Sequence, residues 1–261
     1  MRLKNHPLIL SVETATLGGS VCLAREGAVV SYSVGEPRIS HSNTLLRDID
    51  KVLANGQTTL GEIDLFAVAS GPGSFTGLRI GVATIKALAA TLERPCSGIP
   101  SLHAVAHAGG ESERTVALLP AGRGEVFAQM FSVSPQGHVT ELDAIAHVAP
   151  VAMLEKYAAI PDIRWCGEGA HMYADSIAQG AAREGHQLVN SAGELMLGAR
   201  PAWRLASREP NLAPHVAALA LMRFEQNQLD TPSSLRAIYV RPSDAELNES
   251  CPPLSHQSAP F

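Results

Sequence analysis

Paired cysteines, aromatic residues and an excess of positive charge are all scarce in this sequence, and each scarcity removes a class of protein. The four cysteines (Cys22, Cys96, Cys166 and Cys251) lie far apart, with no CxxC pair. That pattern excludes a disulfide framework and reads as three buried small hydrophobes and one tail thiol. Aromatic residues make up 5% of the 261, whereas hydrophobic residues together reach 46% and charged ones 17%, the balance of an ordinary globular protein. Twenty basic residues against 25 acidic give a net charge of −5. A protein that grips nucleic acid mainly through its own surface needs a basic excess, because phosphate contacts dominate affinity. No apolar run approaches the ~20 residues that cross a bilayer. The opening MRLKNHPLILSVE has too short an apolar run for a secretory leader and no small-residue cleavage site. A reducing cytoplasm, with no membrane contact, is the expected compartment.

What is present is a regular order of elements. LILSVE (8–13), SVCLAR (20–25) and AVVSYSV (28–34) are apolar or alternating runs separated by Gly18-Gly19 and Glu26-Gly27, as in a three-stranded antiparallel meander. The period then changes: Leu45, Leu46, Ile49, Val52 and Leu53 form an amphipathic helix stripe, with Ser42 or Asn43 to cap it. DLFAVAS (64–70) reads as a buried strand, a helix follows to about Leu92, and CSGI (96–99) reads as a short strand after Pro95. A looser copy comes next: TVALLP (115–120), EVFAQMFSV (125–133) and HVTELDAIAHV (138–148) as strands, a helix after Pro150, a strand at IRWCG (163–167), then helical stretches. Residues 194–211 show no regular pattern, and LAPHVAALALMRFEQNQ (212–228) is a clear late helix with Asn211 as its candidate cap. Two successive β-β-β-α-β-α lobes are the layout of the actin-like ATPase (ASKHA) fold, a two-lobed α/β architecture. The expected division is 1–105 for the first lobe, joined by the late helix 211–228, and 106–210 for the second. The polar, proline-rich residues 243–261 are expected to be disordered.

The densest signal is SGPGSFTGLRIG (70–81), with glycines at 71, 73, 77 and 81. A Walker A loop needs GxxxxGK[ST], and no Gly-Lys pair occurs here; the dinucleotide GxGxxG fails because Thr76 stands at the third position. On a helix starting near Ser74 or Phe75, Gly77 and Gly81 share one face. A glycine inside a helix costs about 1 kcal/mol relative to alanine, so this face calls for close approach of another backbone. Packing within the chain, contact with a second protein and an anion site at the helix start all remain open. Leu78, Val82, Ile85, Ala89 and Leu92 form the opposite, apolar stripe, and Arg79 and Lys86 share a side.

SGPGSFTGLRIGVATIKALA resembles the most characteristic segment of the TsaB (YeaZ-like) family. LILSVETAT resembles the family's opening strand, HSNTLL its His-Ser helix start, GRGEVFAQ its Arg-Gly-Glu segment and AIYVRP its closing Tyr-Leu-Arg, so the likeness spans roughly residues 8–242. The resemblance implies a non-catalytic scaffold that binds a TsaD-type catalytic subunit during formation of N6-threonylcarbamoyladenosine in tRNA. That pairing runs through the helix at His41, Ser42, Leu45, Leu46 and Ile49 and the helix region Gly73, Ser74, Phe75, Thr76, Gly77, Arg79, Gly81 and Lys86. It further implies a TsaE-type ATPase as partner, tRNA contact only through other subunits, and a homodimer through the same helices when the chain is alone. The chain would hold no cofactor or metal of its own, with Glu13 and Thr14 as weak cofactor-binding candidates and any ATP or ADP at the partner interface.

Departures from the family pattern bear on chemistry. Glu13 stands where aspartate is more usual, and the Asp-Ala-Arg-Arg-Gly-Glu segment appears as Pro120, Ala121, Gly122, Arg123, Gly124 and Glu125. An actin-like kinase uses a carboxylate in each lobe to organise magnesium and the attacking group; Pro120 can do neither. Arg123 and Glu125 read as a solvated or lobe-bridging pair. His103 and His107 form an HxxxH pair without the glutamate of HExxH, displaced by two residues from the metal-binding pair of TsaD-like relatives, and read as packed or surface histidines. The alternative function is a nucleotide-dependent transferase or a metallopeptidase-like enzyme of the same fold.

Overall fold

The computed structural model describes residues 6–36, 41–190 and 202–240. Its first sheet has the order β3-β2-β1-β4-β5, built from β1 (Leu8–Glu13), β2 (Ser20–Arg25), β3 (Ala28–Val34), β4 (Leu65–Gly71) and β5 (Cys96–Pro100). The first three strands are antiparallel neighbours, while β4 runs parallel to β1 and β5 parallel to β4. Glu26 and Gly27 both have positive φ, 54° and 78°, the turn whose twist suits a two-residue hairpin.

Every residue of β1 and β4 is buried, because helices cover both faces of the sheet. Leu8, Leu10 and Val12 pack with Leu45, Ile49, Val52, Val82 and Ile85. Those partners come from α1 (His41–Asn55) and α2 (Phe75–Thr91). Ile9, between them in sequence, turns to the other face and meets Val216, Ala217 and Ala220 of α7 (Ala213–Glu225). The strand's period of two therefore feeds two cores at once.

A connecting helix, α3 (Ser101–Ala108), leads into the second sheet. Its strands are β6 (Ser112–Gly122), β7 (Glu125–Val133), β8 (Val139–Glu141), β9 (Ala146–Val148), β10 (Arg164–Cys166), β11 (Gln187–Asn190) and β12 (Ala202–Leu205). The order is β11-β12-β10-β6-β7-β8, with β9 also on β7. As β4 lies parallel to β1, β10 lies parallel to β6. The helices are α4 (Pro150–Tyr157), α5 (Glu168–Met172) and α6 (Ala174–Arg183). Both sheets follow one connection pattern, that of the two-lobed actin-like ATPase fold. No helix among the described residues is long and apolar enough to cross a membrane.

Three details differ from expectation. The strand read over 138–148 is broken into β8 and β9, because Asp143 turns inward between them. Its carboxylate accepts from Met130 N (2.7 Å) and the Tyr157 hydroxyl (2.9 Å) and pairs with Lys156 Nζ (2.6 Å). In the region read as helical and then irregular, β11 and β12 form instead. Their anchor is Trp203, fully buried, 5.0 Å from the Trp165 ring and donating to Ile160 O at 2.9 Å. Asn211 does not cap α7: Ser20 Oγ, from the opposite end of the chain, accepts from Ala213 N at 3.0 Å. The tail expected to be disordered, 243–261, lies outside the described residues, as does Cys251.

Candidate functional site: the α2 face and the cleft

The site region begins where β1 ends. Glu13 is fully buried, and its carboxylate accepts from Thr16 N and Thr16 Oγ1, both at 2.7 Å. Thr14, also buried, donates from Oγ1 to Gly77 O at 2.8 Å. The two weak cofactor candidates thus staple the β1–β2 turn and fasten it to α2. Ser74 continues the join: its N–H donates to Ala15 O at 2.8 Å, and its hydroxyl caps α2 by accepting from Gly77 N at 3.2 Å.

The glycines face this join. A Cβ on Gly73 would lie 2.5 Å from Ala15 Cβ, and one on Gly81 would collide with Thr14 Oγ1 and touch Val68. Gly77 and Gly81 are buried. Of the readings the spacing left open, the structure shows the internal one, and the assignment of Gly77 and Gly81 to a partner surface is corrected. Close approach is indeed the reason for glycine here, but the approaching backbone is the chain's own β1–β2 turn. Leu45 (5% exposed) and Ile49 (2%) are likewise core residues, not docking residues; Leu46, beside them, is 64% exposed. Helix α1 begins at His41; the side chains of His41 and Ser42 lie outside the described residues.

What α2 turns outward is a stripe of Thr76, Arg79, Ala83, Ala87 and Ala90, all exposed. Arg79 lays its guanidinium 3.9 Å from the centre of the Phe75 ring, a cation–π contact. The other neighbour of that ring is Tyr239, at 4.9 Å. Lys86 diverges from Arg79 and donates from Nζ to Leu235 O at 3.3 Å. The segment after Leu235 is held by Ile238 N donating to Ser70 O at 2.7 Å.

Between the lobes lies a cleft of about 550 Å³. Thr16, Phe75 and Thr76 line it from the first lobe, Pro120 and Met172 from the second, and Tyr239 from the closing segment. Glu168, at the start of α5, is the one charged side chain among the described residues that line it. Glu125 meets His147 at 2.8 Å within the second lobe, and Arg123 occupies an exposed turn at φ 53°.

The HxxxH histidines split between two neighbours. His103 Nε2 lies 3.2 Å from Glu141, and His107 Nδ1 lies 2.8 Å from His215 Nδ1 on α7. Burial lowers the pKa of both His103 and His107, and burial together with His107 pushes His215 down to about 4. No group of three His, Cys, Asp or Glu among the described residues could hold a metal ion. Cys22, Cys96 and Cys166 are free and buried, and burial pushes their thiols up to about 12, 11 and 12. Sequence reasoning missed the Arg79–Phe75–Tyr239 stack and the outward alanines. Ala83 and Ala87 repeat at the same spacing of four as the glycines and carried that signal.

The family model of TsaD, described as tRNA N6-adenosine threonylcarbamoyltransferase, matches residues 37–173. The tRNA threonylcarbamoyladenosine biosynthesis protein TsaB of Escherichia coli (strain K12) is 32% identical over 142 residues, which cover 52% of this chain and 61% of that protein. The protein of the same name from Haemophilus influenzae is 34% identical over 122 residues, covering 46% and 51%. The chain thus spans about half to three-fifths of the length of the curated relatives it matches. Among solved structures, YeaZ from Pseudomonas aeruginosa has a TM-score of 0.68 at 24% identity, over 90% of this chain and 100% of that one, a likeness of fold.

Proposed function

We propose, since this chain belongs to the TsaD (tRNA N6-adenosine threonylcarbamoyltransferase) family and is TsaB/YeaZ-like within it, that it is a non-catalytic subunit in the formation of N6-threonylcarbamoyladenosine in tRNA. Its role is to bind a TsaD-type catalytic subunit and hold it in working form. A TsaE-type ATPase joins that pair, ATP or ADP sits at the partner interface, and tRNA is reached through the other subunits, all in the cytoplasm.

The observation that carries this reading is the outward face of α2. Thr76, Ala83, Ala87 and Ala90 are small, and Arg79 is the one charge among them. Two packed helices lie about 8–10 Å apart, nearer the lower value where the side chains at the contact are small. Leu46, exposed on α1, which packs against α2, offers a further apolar contact. A non-catalytic role is supported by the strand ends: Glu13 is committed to Thr16, and Pro120 borders the cleft from the other lobe.

Co-purification of the full chain with a TsaD-type protein tests the proposal. Ala83→Arg and Ala87→Arg, at exposed positions, are expected to weaken the complex by about tenfold or more while circular dichroism stays unchanged. Stoichiometric pairing undiminished in both variants would move the interface away from α2, and absence of any complex would remove the scaffold reading.

A further inference from the structure

We propose that the cleft between the lobes binds a small organic cation, an ammonium group on an apolar body, with its charge set against Glu168. The site is separate from the outward face of α2. Its volume of about 550 Å³ falls within the range of small-molecule sites. The wall is mostly apolar, from Leu17 and Phe75 of the first lobe to Phe127 and Met172 of the second. A wall of this kind favours a ligand whose body leaves water on binding.

Phosphate-bearing ligands do not suit this wall. Among the described residues that line it there is no lysine, arginine or histidine, and Glu168 repels an anion. The start of α2 offers little in their place. Ser74 N–H is spent on Ala15 O, and Gly77 N–H on the Ser74 hydroxyl. The cleft therefore carries the opposite electrostatics to a nucleotide site.

Glu168 is held in place by its neighbours. Gly167 has φ 93°, in the left-handed region, and a Cβ there would collide with Leu118 O of β6. A Cβ on Gly169 would lie 2.9 Å from Leu118 Cβ. The turn that carries Glu168 is thus pressed onto β6 at both flanking residues. Glu168 is half-buried, and among the described residues no hydrogen bond or ion pair engages its carboxylate. A carboxylate in such surroundings gains when a cation pairs with it. Aromatic faces complete the set: Phe75 and Tyr239 both line the cleft, with ring centres 4.9 Å apart. Phe75 already accepts the Arg79 guanidinium at 3.9 Å, so this ring pair is suited to cations.

Ligand-observed NMR titration of the full chain tests this, with phenethylammonium against phenylacetate, which carries the same ring and the opposite charge. For so small a ligand the expected dissociation constant of phenethylammonium is about 1–10 mM, with phenylacetate at least about tenfold weaker. Glu168→Gln, which keeps the shape and removes the charge, should weaken phenethylammonium by about fivefold, with circular dichroism unchanged. Met172→Arg, at an exposed position on the cleft wall, should also weaken it and should strengthen phenylacetate. A wild type that binds no phenethylammonium overturns the proposal, as does equal affinity for the two probes. Binding that Glu168→Gln leaves intact overturns it too, since an apolar pocket would then act without recognising charge. Displacement of phenethylammonium by magnesium-ATP would return the cleft to nucleotides and count equally against it. None of these outcomes depends on whether a TsaD-type partner binds.

Discussion

At the scale of single residues, Gly81 shows how one missing side chain can be read correctly and placed wrongly. Its helical position costs about 1 kcal/mol of propensity, and the compensation is contact with Thr14, whose hydroxyl is in turn bonded to Gly77 O. Thr14 is buried and stiff at χ1, so it cannot step aside for a Cβ. Overpacking a filled site costs about 1–3 kcal/mol and more for a large side chain, which exceeds the gain in propensity. Gly81→Leu is therefore expected to lower the urea midpoint of unfolding markedly, whereas Ala83→Arg should leave it in place. An unchanged midpoint for Gly81→Leu would contradict the internal packing. The glycine spacing was legible in the sequence; the identity of its neighbour was not, since Thr14 and Gly81 are brought together by the parallel β1–β4 pairing.

At the scale of elements, the helices and strands of the first lobe follow their sequence periods closely, and the α3–α7 junction is where tertiary contact adds something new. His107 and His215 stand 2.8 Å apart there, with His103 against Glu141 one turn away and Arg223 of α7 nearby. Burial is the first cause of the lowered pKa at all three histidines. In the unfolded chain each titrates near the ordinary 6.5, whereas folded His215 titrates near 4. Between those values the unfolded chain binds protons that the folded chain does not, so acidification favours unfolding. The stabilising contribution is whole above pH 6.5 and is lost as the pH falls toward 4. Thermal melts across this window should show a falling midpoint, and His215→Gln should flatten that fall. An equal slope in the variant would mean that other groups govern the acid limb. Sequence alone showed HxxxH but gave no sign of His215 as the second partner, because the residues are 108 positions apart.

At the scale of the whole molecule, two sheets of like connectivity enclose a cleft of about 550 Å³. Phosphoryl transfer works by positioning and charge neutralisation. In this cleft Glu168 is the one charged lining side chain among the described residues, and Glu13 serves the β1–β2 turn. The isolated chain is accordingly expected to show no turnover with magnesium-ATP in a phosphate-release assay. Sustained release that Glu168→Gln abolishes would revive the enzyme alternative.

The sequence by itself determined the elements of the first lobe, the repeat of their order in the second and the family likeness, because strand and helix periods are local properties and the glycine segment is contiguous. Only the tertiary structure decided which faces are free. Burial of Leu45, Ile49, Gly77 and Gly81, and exposure of Leu46, Ala83 and Tyr32, depend on which sheet each element packs against. The same holds for Ser20 at the start of α7, 193 residues away, and for Trp203 against Trp165. Contacts of that separation form only when the chain closes on itself, and no local pattern encodes them.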